Sequence, residues 1–188
     1  MSSHHLQSAI CNLQSAICNL QSAMEQAMRQ LVNPAKALRT LRKGPAILEA
    51  LLAGVTQEQA MSLSDGGDGW SVLYIVCHMR DVEAIFAQRA RDLLDHPSPT
   101  FQVTPNEELI ARGNYVAQDL RAALASYKAQ RAAFIAMLEP LSDGQWLLAG
   151  THPEQGPATL LDVAINSGLH DVDHQEQIIR CLAPIRGA

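Results

Sequence analysis

From Ser71 to about Leu94, apolar side chains return at helical spacing (Ile75, Met79, Val82, Phe86, Leu93), and no segment shows the two-residue alternation of a half-buried strand. A second stripe, Leu120, Leu124, Tyr127, Phe134 and Leu138, repeats that spacing, and a third helix is expected from Thr159 to about Leu182. Residues 25–54 supply the remaining helix-forming stretch, with breaks expected at Asn33-Pro34 and Gly44-Pro45. Pro45 suits the first turn of a new helix, where its missing N–H is not needed. Hydrophobic residues make up 47% of the chain but aromatics only 4%, so the core must be mostly Ala, Leu, Ile and Val. Such a core favours closely packed helices, and the chain reads as all-α.

Local signals set the element boundaries. Thr56 and Gln59 have capping-box spacing, a Gly-rich loop SDGGDG follows, and Ser71 is placed to cap the long helix. Residues 95–118 form a long connection, inside which Thr104-Pro105-Asn106-Glu107 predicts a short capped helix. Asp119 caps the next long helix and Glu139-Pro140 stops it. Ser142 and Gln145 mark a single turn, THPEQGP reads as a rigid loop, and Thr159 caps the last helix, which Ala183-Pro184 ends. Four long helices with one long connection describe a four-helix bundle with a crossover between helices 2 and 3. At 188 residues the chain suits one domain.

The N-terminus stands apart. Residues 6–12 and 13–19 both read LQSAICN, and a third copy begins at 20. The period of seven gives an apolar heptad seam, but it lasts under three heptads and carries no flanking charge. Residues 1–24 therefore read as a non-essential extension, disordered or a frayed helix, from a duplicated stretch or from sequence upstream of a start at Met24 or Met28. The bundle domain is assigned to residues 34–183. Two of the four cysteines, Cys11 and Cys18, fall in the repeat, no C-x-x-C pair exists, and free thiols are the expectation. No secretory signal or membrane span is visible, so a cytoplasmic location is expected. With 14 basic against 19 acidic residues and no basic stripe, a nucleic-acid surface is not expected.

Histidines carry the chemistry. His170 and His174 are four apart, which puts both imidazoles on one helical face within reach of one ion, with Asn166 another four residues before them. Such a pair alone is as often packing as a site. His78, beside the apolar seam of its helix, is the candidate third ligand, since neutral imidazoles facing one bundle interior need a partner. Asp171 and Asp81 are candidates to orient an imidazole from outside, and Asp171 is also the candidate general base. Asp173 and Glu83 read as solvated surface acids. His96 and His152 read as loop residues, and His4 and His5 lie in the extension. Cys77 and Cys181 read as small core residues. The zinc-protease motif does not apply, because Asp171 stands where that motif has its glutamate.

Three segments together resemble one family. WSVLYIVCHMRDVE at 70–83, HDVDHQEQI at 170–178 and HPEQGPATL at 152–160 resemble the DinB-like superfamily, over about residues 34–183. The resemblance implies an up-down-down-up bundle and His78, His170 and His174 as metal ligands. It implies a divalent transition metal, zinc or nickel first with iron or manganese as alternatives, and a homodimer. It further implies an enzyme acting on a small-molecule substrate, either a thiol S-transferase using a low-molecular-weight thiol or a hydrolase activating water. The competing class is a non-catalytic metal- or ligand-binding bundle in stress response.

Overall fold

The structure is a computed structural model that describes residues 13–20, 32–66 and 69–186. It divides into two units, Met1–Lys36 and Ala37–Ala188. In the first, residues 13–20 are helical; most of the heptad repeat, with His4, His5 and Cys11, lies outside the described residues. Among those described, no helix is long and apolar enough to cross a membrane.

The helices in order are α1 (Pro34–Leu51), α2 (Gln57–Ser62), α3 (Val72–Asp95), α4 (Asn106–Gly113), α5 (Leu120–Leu138), α6 (Asp143–Trp146) and α7 (Leu160–Arg186). A two-stranded hairpin, β1 (Ala149–His152) with β2 (Gly156–Thr159), precedes α7. The long helices α1, α3, α5 and α7 form the bundle. Arg42 meets Glu139 and Glu49 meets Lys128, so α1 and α5 are antiparallel. His78 meets His170 while Glu83 meets Ser167, so α3 and α7 are antiparallel too. Met79 and Phe86 of α3 share their apolar clusters with Tyr127 and Phe134 of α5, which makes those two parallel. The bundle is all-α and runs up-down-down-up.

Several caps follow the sequence. Ser71 accepts from the Tyr74 N–H, Asp119 from Ala122, and Thr56 and Gln59 form a reciprocal box. Thr159 and Asp162 do the same at α7. Thr104 does not cap α4, whose N-cap is Pro105 with no side-chain bond. The segment 152–157 is a hairpin turn rather than a loop. Gly156 turns at φ +81°, and the His152 Nδ1 accepts from the N–H groups of Glu154 and Gln155. β1 alternates in burial, but its inward positions are Gly150 and His152, so no apolar alternation shows in the sequence. The crossover is tied down here: Phe101 donates to the Thr151 carbonyl and Thr151 to that of Pro99, both at 2.9 Å.

Two of the prolines expected to end a helix lie inside one. Pro184 sits in the last turn of α7, which continues to Arg186. Pro45 sits in the middle of α1, where it deprives the Leu41 carbonyl of its helical donor. Arg131 of α5 supplies the missing donor at 3.1 Å, and Gln175 of α7 donates to the Gly44 carbonyl at 2.9 Å. The helix survives its proline because two neighbouring helices satisfy the disturbed backbone.

These residues belong to a polar layer between two apolar clusters, one containing Leu48, Met79, Tyr127 and Ile178, the other Leu41, Phe86, Phe134 and Ala164. Each long helix contributes to it: Gly44, Glu83, Arg131, and Ser167 with Asp171.

Candidate metal centre

Helix α3, started by its Ser71 cap, carries His78 into the bundle, where it is 5% exposed. Helix α7 carries His170 and His174 one turn apart, both half-buried. The structure brings the three rings together tip to tip. The Nε2 of His170 lies 3.1 Å from the Nε2 of His78 and 3.1 Å from that of His174. All three ligand atoms fall within 4.8 Å of one another, and no fourth His, Cys, Asp or Glu joins them among the described residues.

Aromatic side chains wall this cluster. Trp70, at the entrance to α3, lies 4.8 Å from the His78 ring and stacks on His174 at 6.3 Å. Phe86 meets the His170 ring edge-on at 5.9 Å. This shielding shows in the protonation equilibria. Burial, with the His174 charge adding to it, pushes His78 down to about 4. Burial and both neighbouring imidazoles push His170 down to about 2. His174 is lowered by burial as well, though Gln177 partly opposes this. All three rings are therefore neutral at pH 7.

Their tautomers matter next. The His174 Nδ1 lies 2.9 Å from the Gln177 Oε1. An amide oxygen only accepts, so Nδ1 carries the proton and Nε2 presents its lone pair inward. With His78 and His170 in the same tautomer, three lone pairs would meet at one point, an arrangement that a cation among them stabilises. The two spacings from His170 also fit, at 3.1 Å each: nitrogens on a tetrahedral ion at about 2.0–2.1 Å lie about 3.3 Å from each other. Donor type, protonation state and spacing all suit a divalent transition metal.

Asp171 is not placed as a free base. Its Oδ2 accepts from Arg131 Nη1 at 2.6 Å, and its Oδ1 accepts from Arg131 Nη2 at 3.0 Å and from the Tyr127 hydroxyl at 2.7 Å. At 3% exposure, with both oxygens accepting hydrogen bonds, it is anchored in the polar layer by Arg131 and Tyr127. Glu83 is no surface acid either. It is 2% exposed and takes Arg131 Nε at 2.6 Å and Nη2 at 2.8 Å. Asp81 does not orient His78, whose Nδ1 is buried without a partner; the Asp81 carboxylate accepts from Arg80 Nε at 2.7 Å.

The other candidates sit where packing puts them. Asn166, His96 and Asp173 are exposed, and His152 holds the hairpin turn. Cys181 is buried against the Trp70 carbonyl, and burial pushes the Cys77 thiol up to about 11. The residues missed from sequence are Trp70, Gln177 and Arg131. Gln177 follows His174 by three positions, the spacing at which helical side chains meet, and so was legible in principle.

A family profile described as the DinB superfamily matches residues 40–178, which include all three histidines. The structure of YfiT from Bacillus subtilis, described as a probable metal-dependent hydrolase with an unusual four-helix bundle topology, superposes with a TM-score of 0.75. It is 20% identical, over 81% of this chain and 87% of that one. A mycothiol-dependent maleylpyruvate isomerase gives a TM-score of 0.67 at 14% identity, over 79% of this chain and 62% of its own. At such identities the likeness is one of fold. No curated protein sequence matches.

Proposed function

Because the chain belongs to the DinB superfamily, we propose that it is a divalent-metal-dependent enzyme whose His78, His170 and His174 hold the ion and whose substrate is a small molecule. The observation that carries this is the convergence of three neutral Nε2 atoms with no fourth protein ligand among the described residues. Structural sites are closed by four protein ligands, whereas three leave a position open. When bound, the ion supplies Lewis acidity at that position and lowers the pKa of a water or thiol there.

The chain's own residues do the rest. Gln177 fixes the His174 tautomer, Trp70 and Phe86 cover the imidazole faces and exclude water around them, and burial keeps the rings unprotonated. Asp171 acts through position rather than proton transfer, anchoring the α7 segment that bears His170. The two relatives point to two nucleophiles, water for a probable hydrolase and a thiol for a mycothiol-dependent isomerase. One titration separates them: zinc-loaded protein is mixed with mycothiol or glutathione and thiolate absorbance is followed against pH. A thiol pKa lowered by two or more units selects the thiol-dependent reaction. An unmoved thiol pKa together with zinc-dependent ester or amide hydrolysis selects the hydrolase. Neither response from zinc-loaded protein would overturn the enzymatic reading.

A further inference from the structure

The polar layer holds two carboxylates against one guanidinium. Arg131, 1% exposed, spends all five of its N–H groups: Nε on Glu83, Nη1 on Asp171 and the Leu41 carbonyl, and Nη2 shared among Glu83, Asp171 and Ser167. Ser167 also donates to Glu83 Oε2 at 3.0 Å, and Tyr127 donates to Asp171. Both acids thus accept on both oxygens. A structural ion pair needs one acid per arginine, and an extra buried negative charge is costly. Among the described residues no other basic side chain bonds to this cluster. Its position is specific, since Asp171 directly follows His170, Ser167 lies one turn before it, and Glu83 is three residues from Phe86, whose ring touches His170.

We infer that the Glu83–Arg131–Asp171 cluster is the counter-charge of the metal centre, its one excess negative charge lying buried beside three neutral imidazoles that bring none. The ligands leave a bound divalent ion with its full charge of two, and the cluster offsets part of it from within the low-dielectric interior. Glu83 and Asp171 are on this account positioning residues that set affinity without touching the ion. The inference rests on the metal reading above.

The test measures two quantities on the full-length protein: zinc affinity by competition with a chromophoric chelator, and the stability of the metal-free form by denaturant unfolding. The Glu83→Gln variant keeps the shape and leaves Arg131 balanced by Asp171. Zinc affinity is expected to fall 10–100-fold, the range typical for outer-sphere partners, while the metal-free protein stays at least as stable as the parent. Asp171→Asn should behave alike. A purely structural cluster gives the reverse pattern, lost stability with affinity within twofold of the parent, and that result overturns the inference. So does failure of both variants to fold. A parent protein that binds no zinc instead overturns the metal reading itself, and is recognised before any variant is compared.

Discussion

The α-carbon of Gly44 lies so close to the Asp171 carboxylate that a β-carbon there would collide with Oδ2 and press on Arg131. This contact joins the proline-bearing helix α1 to the histidine-bearing helix α7. Gly44→Ala is therefore expected to destabilise the protein by roughly 1–3 kcal/mol, the usual cost of overpacking. In an open helix the same change stabilises by about 1 kcal/mol. Denaturant midpoints of parent and variant decide the sign, and a gain in stability would show that the two helices are not in this contact.

Arg131 satisfies two buried carboxylates and the carbonyl that Pro45 orphans. Arg131→Met leaves both carboxylates without a counter-charge and the carbonyl without its donor. A loss of about 3–5 kcal/mol is expected, as for other buried ion pairs broken on one side, measured by chemical unfolding. A change under about 1 kcal/mol would mean that water reaches the layer.

How legible was this arrangement in the sequence? His78, His170 and His174 could be picked out because two share one helical face and the third borders the seam of another. Caps at Ser71, Thr56 and Asp119 could be read because each partner lies three residues away. The shared partner of Glu83 and Asp171 could not be read, because Arg131 is 48 and 40 residues from them. Pro45 misled for the same reason. Whether a proline breaks a helix depends on what meets the carbonyl it strands, and that donor lies 90 residues along the chain. Local chemistry shows in local sequence; the long-range pairs that override it do not.

Acid should weaken the metal-free protein in a defined window. The native fold keeps His78 down at about 4 and His170 at about 2, whereas an unfolded histidine titrates near ~6.5. Both folded values are depressed, so this stabilisation is complete above pH ~6.5 and is lost as pH falls toward 4, where only the unfolded chain takes up protons. The expected slope is up to ~1.4 kcal/mol per pH unit for each histidine. Unfolding free energies between pH 7 and 4.5 check it; a flat profile would mean that the imidazoles are solvated.

Gln177 orients His174 through its Nδ1 proton. Gln177→Leu should lower zinc affinity about 10–100-fold while leaving the stability of the half-buried site nearly unchanged. Chelator competition reads the first and thermal unfolding the second. Unaltered affinity would show that His174 needs no external orientation.

The central claim is that three imidazoles from α3 and α7 form one metal site. Its most direct test is elemental analysis of the purified chain beside its His170→Ala variant, since His170 is the ring that touches both others. One divalent transition-metal ion per chain in the parent, and almost none in the folded variant, is the predicted result. Equal metal content in the two proteins would contradict it.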